Sequence, residues 1–380
     1  MSSEKVRVAV IGVGGMGYTH ARMSSELEEF ELVALADINP DRAREMGEEW
    51  ECPHYTSHEE LLENEELDAV TIATPHYFHP PIAIDGFAAG LHVLSEKPIG
   101  VRVGEAEKMG EAARKAGKLF AVMFQARTRP EIRKARELIE NGELGELKRS
   151  LLVAPCFRSQ AYYDSGTWRA TWAGEGGGVM MNQAPHSMDL FTLLGGMPSR
   201  VRGRCATLMH EIEVEDHAEG MLEYENGACG YVYMSTCEAG PTVLEFVGDK
   251  GRLRIEGGEL SFWRYSPAVS EFNRENTEMW GRPDIEQVEL ELPECESGHR
   301  ELMRNFGRAI LDGEPLVAPG EEGLKSLELA NAITLSAHKG EPVDFPISRT
   351  EFSDLIDYLR STSSFEEDWA ATKAESDPNI

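Results

Sequence analysis

The chain has 380 residues, 41% hydrophobic and 27% charged, a balance that fits a folded, soluble protein of two domains and excludes a disordered one. Its 67 acidic against 37 basic residues give a formal charge of −30, which excludes the basic footprint of nucleic-acid binding and disfavours anionic membrane surfaces; the excess acid reads as a solvated surface. No apolar run approaches the ~20 residues that span a bilayer, Met1 to Lys5 leads straight into an apolar strand with no room for a signal peptide, and the six scattered cysteines form no Cys-x-x-Cys pair, so reduced thiols in a cytoplasmic protein are expected.

The first third alternates short apolar runs with amphipathic stretches, the pattern of β-α-β units. Val6 to Ile11 reads as a strand with little polar interruption, followed by Leu32 to Ala36, Ala69 to Ala73, Leu91 to Leu94 and Leu119 to Phe124. Continuously apolar strands are buried on both faces, so a parallel sheet covered by helices is expected. The first strand runs into Gly12-Val13-Gly14-Gly15-Met16-Gly17 and then a helix. In that context Gly12 permits a tight turn, Gly14 lets the backbone approach a pyrophosphate, and Gly17 lets helix and strand pack closely. Asp37, at the end of the second strand, is placed to accept from ribose hydroxyls and to repel a 2′-phosphate. Ile38, Asn39 and Pro40 follow it with no basic residue. NAD is therefore expected ahead of NADP, with Arg42 the nearest arginine able to receive that phosphate.

Ligands bind at the C-terminal edge of such sheets. Thr74, Pro75 and His79 follow one strand at that edge, and Glu96-Lys97-Pro98 follows the next. A lysine beside a nicotinamide holds a substrate hydroxyl and lowers its pKa. Gln125 and Arg127 follow the fifth run and are expected to face the same crevice.

Beyond about Arg127 the pattern changes. A helix is expected over Pro130 to Asn141, with Pro130 in its first turn and Gly142 past its end. Strand-like runs then dominate: Leu147 to Ala154, Val201 to Thr207, Ala218 to Tyr224, Ala228 to Met234, Thr242 to Val247 and Arg252 to Ile255, with Glu225-Asn226-Gly227 a hairpin turn. Helices are expected over Asn182 to Leu194, Arg300 to Leu311 and Glu321 to His338. The fold class is α/β plus α+β: a Rossmann domain over residues 1–126, a domain on a large, mostly antiparallel open sheet over 127–345, and an extension over 346–380 ending in a loosely held acidic tail. Tyr163, Trp168 and Arg169 lie in a segment rich in aromatics and donors, suited to the apolar faces and polar rims of a sugar. His210-Glu211 and Asp216-His217 lack a recognised ligand spacing, so no metal site is expected.

These motifs, in this order, resemble the Gfo/Idh/MocA oxidoreductases over about residues 5–345. The resemblance rests on the glycine loop, Asp37, Thr74-Pro75 with His79, Glu96-Lys97-Pro98 and Phe124-Gln125-Ala126-Arg127. It continues in Gly176-Gly177-Gly178, His186, Asp189 and the segment Ser336 to Gly340. It implies that Lys97 orients cofactor and substrate, that Lys97–Pro98 is cis, and that the open sheet mediates a homodimer or homotetramer. The family usually follows its triple glycine with Asp-x-x-x-His. Here His186 is kept and Asn182 stands at the aspartate position. At helical spacing the two are expected on one helix face, with His186 the acid/base and Asn182, which cannot be a base, hydrogen-bonding a substrate hydroxyl or orienting the ring. Asp189 is placed to orient a neighbour. The implied reaction is hydride transfer between a sugar or cyclitol carbon and NAD. The alternatives are a glycoside-cleaving enzyme using transient oxidation and elimination, and a non-catalytic NAD(H) sensor.

Overall fold

Six parallel strands form the N-terminal sheet: β1 (Val6–Ile11), β2 (Phe30–Ala36), β3 (His54–Tyr55), β4 (Ala69–Ile72), β5 (His92–Ser95) and β6 (Phe120–Val122). Their order is β3-β2-β1-β4-β5-β6. The chain doubles back across β1, which opens a crevice between β1 and β4 at the C-terminal edge. β4 is buried along its whole length, as expected for a strand with helices over both faces. The computed structural model describes residues 5–365; the expected acidic tail from 366 onward lies outside the described residues.

The second sheet has nine strands: β7 (Leu147–Pro155), β8 (Arg200–Ala206), β9 (His217–Glu223), β10 (Cys229–Ser235), β11 (Val243–Gly248), β12 (Gly251–Glu256), β13 (Glu259–Ser266), β14 (Asp284–Val288) and β15 (Val343–Asp344). Their order is β14-β13-β12-β11-β7-β10-β9-β8-β15. Every pairing is antiparallel except the central one, β7 with β10. The helices Pro185–Gly195 and Gly323–Lys339 cover one face. Contact there is close: a Cβ at Gly203 would lie 2.4 Å from the Ile333 carbonyl oxygen. The other face is open and carries Met221, 66% exposed, with partly exposed Tyr231 and Tyr233.

The chain then returns to the first domain. The helix His299–Asp312 seats Gly307 on Phe30, and its Arg300 pairs with Glu26 at 2.6 Å. Val122 N–H donates to the Ala318 carbonyl, 3.1 Å, adding a short bridge at the edge of β6. The helix Arg349–Ser361 also docks there, Arg349 on Glu107 at 2.6 Å and Arg102 on Asp357. Segments late in the chain thus pack against the N-terminal sheet and its helices. Among the described residues no helix is long and apolar enough to cross a membrane, and the six cysteines are free.

Candidate active site

The glycine loop adopts the geometry its sequence requires. Gly12 has φ +84°, and a Cβ there would lie 2.8 Å from the Ala73 carbonyl. A Cβ on Gly17 would lie 1.8 Å from the Gly12 oxygen. The helix Gly15–Glu26 begins at Gly14 with no side-chain cap and no acidic residue in its first turn. Its first N–H groups are thus left for an anionic ligand, and Gly14, Gly15 and Met16 are all partly exposed. Asp37 accepts from Val13 N–H and Asn39 N–H, both at 2.9 Å. This ties the carboxylate beside the loop. Ile38 next to it is 59% exposed, while Arg42 is turned inward to the Val13 carbonyl, 2.8 Å. Gly17→Ala is expected to weaken NADH binding at least about tenfold, ~1.4 kcal/mol, in a fluorescence titration, because the obstructing atom is backbone; parent affinity would contradict the role given to the loop.

Lys97 follows β5 through a cis Lys97–Pro98 peptide. Its Nζ donates to the Asn182 carbonyl, 3.1 Å. Burial pushes this ammonium down, against the pull of Glu96 and Glu175. His186 lies in the first turn of its helix, edge-on to the Phe124 ring and with Nε2 3.4 Å from the Gln125 amide nitrogen. Burial, assisted by the Lys97 charge, pushes its imidazole down to about 3, so the ring is neutral at ordinary pH. The Lys97 charge thus bears on the His186 imidazole, and the bond to the Asn182 carbonyl brings the lysine to the segment that leads into the His186 helix. Four buried atoms in these segments have no hydrogen-bond partner among the described residues: Thr74 Oγ1, Gln125 Oε1, Gln183 Oε1 and His186 Nδ1. Unpaired polar atoms of both kinds suit a ligand rich in amide and hydroxyl groups. With the free helix start and Asp37, the residues fit a dinucleotide.

Five expectations are corrected. Glu96 does not face the crevice: one oxygen meets His20 Nε2 at 2.9 Å, the other accepts from Lys97 N–H. Burial alone would raise its pKa, but the His20 bond holds the carboxyl at about 2. His79 is fully buried, its ring nitrogens 2.7 Å from the Pro98 carbonyl and 2.6 Å from that of Thr74, so it ties the two crevice loops together. Arg127 spends its donors on Asp189 (2.8 and 2.6 Å), Glu322 and the Val317 carbonyl, with its side chain 3% exposed. Tyr163 turns into the second domain and donates to Thr236 Oγ1, 2.8 Å. Asn182 is not on the helix: Pro185 occupies the first position, so Asn182 and His186 share no helical face.

Tyr162, next to Tyr163 in the chain, gathers polar partners of its own. Arg169, Asn182 and Gln183 donate to its hydroxyl at 3.0, 3.2 and 3.3 Å, and Arg169 stacks between Tyr162 and Trp168 at 4.7 and 4.9 Å. His76 and Tyr77 reach across from the first domain to the carbonyls of Glu175 (2.9 Å) and Trp172 (2.7 Å). His210, Asp216 and Cys237 gather closely enough to suggest a metal site. Yet the Asp216 carboxylate already accepts from the N–H groups of Leu208, Met209 and His210 and contacts the His210 ring.

Under the glycine stretch, Glu215 accepts from Gly178 N–H and Met180 N–H at 2.9 and 3.2 Å. Burial, with a smaller push from Glu175, raises its carboxyl to about 7. The free side chain titrates near 4.5, so the native state binds the extra proton between the two values. Stability is then expected to fall as pH rises across that window. Urea titrations at pH 5 and pH 8 should show a smaller difference for Glu215→Gln; an unchanged difference would remove Glu215 as the source.

Two family models match this chain. Residues 6–124 match the oxidoreductase family with an NAD-binding Rossmann fold, and 132–254 match the GFO/IDH/MocA C-terminal domain. The rhizopine catabolism protein MocA of Rhizobium meliloti is 31% identical over 87% of this chain and 94% of its own length. The NAD(+)-dependent scyllo-inositol 2-dehydrogenase of Bacillus subtilis is 26% identical over 91% and 98%. Among solved structures, the WlbA dehydrogenase of Bordetella pertussis, in complex with NADH and UDP-GlcNAcA, superposes with a TM-score of 0.75 at 29% identity, covering 91% of this chain and 100% of that one.

Proposed function

The chain belongs to the Gfo/Idh/MocA oxidoreductases, with an NAD-binding Rossmann fold, and on that premise we propose that it oxidises a CH–OH carbon of a sugar or cyclitol, with Lys97 and His186 acting on the hydroxyl. The reading is supported by the Lys97 bond to the Asn182 carbonyl, four residues before His186, and by the contact of the His186 ring with Gln125 at the end of the first sheet. The His186 ring, uncharged and desolvated, accepts the hydroxyl proton through a ring nitrogen, with the Gln125 amide beside it. Lys97 donates to the same oxygen and stabilises the negative charge that grows there. Bound NAD would supply the acceptor for the hydride leaving the carbon. Glu96 and His79 hold the lysine loop from below. Tyr162, Arg169 and Trp168 form the polar and aromatic wall that meets the substrate's other hydroxyls. The relatives named for inositol dehydrogenation support a cyclitol, and the NADH and UDP-sugar complex supports a sugar.

The test is a panel of inositols, polyols, sugars and UDP-sugars with NAD and NADP, read at the NADH absorbance band. Turnover with at least one polyol, faster with NAD, is expected. NADH binding with no turnover across the panel would sink the proposal. The open sheet face around Met221 and Tyr231 supports a homodimer or homotetramer, read by light scattering on the eluting protein. A cytoplasmic setting goes with this reading.

A further inference from the structure

We propose that Glu175 is the positioning carboxylate of this site, acting from behind the crevice wall to fix the Asn182 amide and to hold the proton on Lys97. The idea rests on the role given to Lys97 above.

Glu175 is 1% exposed, and no cation among the described residues lies within ion-pair distance of it. Burying a carboxylate without a contacting cation is costly unless hydrogen bonds repay it. Here they do. Its Oε2 accepts from Ala170 N–H at 2.7 Å, and its Oε1 accepts from Asn182 Nδ2. The loop is shaped for this. Ala170 sits at φ +51°, a left-handed conformation that an alanine rarely adopts. Gly174 has no room for a side chain, since a Cβ would lie 2.1 Å from the Trp168 carbonyl. At Gly176, φ +77°, a Cβ would meet Val101 at 2.5 Å. Strain at one residue and crowding at two others are accepted to keep one carboxylate pointing inward.

Asn182 joins that carboxylate to the lysine. Its amide donates to Glu175 and to the Tyr162 hydroxyl, while its backbone carbonyl receives Lys97 Nζ. An uncharged side chain at this point passes orientation but carries no charge of its own. The negative charge lies one residue deeper, on Glu175. Lys97 faces two carboxylates, Glu96 and Glu175, which favour its ammonium form. Burial and Arg158 oppose them. The rings of His76, His79, His186 and His299 also sense Lys97. Glu96 is held by His20 and by Lys97's own N–H. Glu175 is therefore the carboxylate whose removal tips the balance without disturbing the lysine backbone.

The experiment needs no substrate, so its outcome is separate from that of the activity panel. The full-length protein is labelled with trace acetic anhydride between pH 6 and pH 10, and the Lys97 peptide is compared with surface lysines by mass spectrometry. In folded Glu175→Gln, Lys97 is expected to label about tenfold faster at pH 7 than in the parent, one pH unit of lost proton affinity. The double variant Glu175→Gln/Asn182→Asp, which returns a carboxylate to the network, should restore the slower rate. Parent-like labelling in folded Glu175→Gln would reduce Glu175 to a loop clasp and overturn the proposal. The reciprocal variant Lys97→Met leaves the Glu175 loop intact and serves if Glu175→Gln does not fold. With the ammonium gone, the protonated-carboxyl infrared band should titrate at higher pH than in the parent; an unmoved titration overturns the proposal.

Discussion

Lys97→Ala is expected to bind NADH with close to parent affinity while kcat/KM with the best substrate of the panel falls by about 10²–10⁴-fold. The two halves of that expectation come from different parts of the fold. Cofactor affinity is built on the glycine loop, the uncapped helix start and Asp37, none of which the lysine side chain touches. Turnover needs the ammonium, because an alkoxide forming in a desolvated crevice has little other positive charge to meet. The remaining imidazole still accepts a proton but leaves the oxygen's charge unbalanced. Fluorescence titration and steady-state rates, measured on one preparation, separate binding from chemistry. A loss of NADH affinity equal to the loss of rate would mean the lysine is a cofactor ligand first. A rate within threefold of the parent would remove it from the chemistry.

Arg127→Met is expected to lower unfolding stability by about 3–5 kcal/mol, the cost of leaving a buried carboxylate alone. The guanidinium is 3% exposed and its partner Asp189 0%. The pair joins the turn after β6 to the helix that carries His186, and Glu322 draws in the start of the helix Gly323–Lys339. Taking away one charge strands the other in the interior. Replacing both, as Arg127→Met/Asp189→Leu, should recover much of the loss, since an apolar pair of similar bulk carries no stranded charge. Urea titrations of the two variants decide it. A variant of parent stability with a raised KM would instead return Arg127 to the substrate site.

How far the sequence could be read follows from the range of the forces involved. β1 was legible to the residue because an apolar run broken only at Arg7 is bounded by Lys5 and Gly12. The glycine loop was legible because backbone crowding leaves no other residue type at Gly12 or Gly17. The edges of the second sheet were not: β14 is short and mostly exposed, and the polar residues interleaved with Leu260, Phe262, Trp263 and Tyr265 mask the aromatic strand signal of β13. Arg127 was assigned to the crevice because its place after a strand suggested it, whereas its partners come from distant parts of the chain and left no local trace. The Tyr162 and Tyr163 pair shows the same limit at short range. In a single helical turn, neighbouring side chains diverge, and only tertiary packing selects which one meets the crevice. The start of the His186 helix was readable in principle, since proline favours the first helical position; Pro185 marked it, and the Asn182 spacing misled.

The parallel pairing of β7 with β10 has a consequence for how the molecule assembles. Parallel neighbours cannot be joined by a hairpin, so the chain leaves β7 at Pro155 and completes a long excursion before entering β10 at Cys229. Tyr162, Glu175, Asn182 and His186 all lie on that excursion. The centre of the large sheet thus joins residues far apart in the chain, Arg149 beside Cys229, a slow, non-local step. The segment that bears the reactive groups is thus the one this pairing encloses, and closure of the crevice is expected to accompany the pairing of β7 with β10.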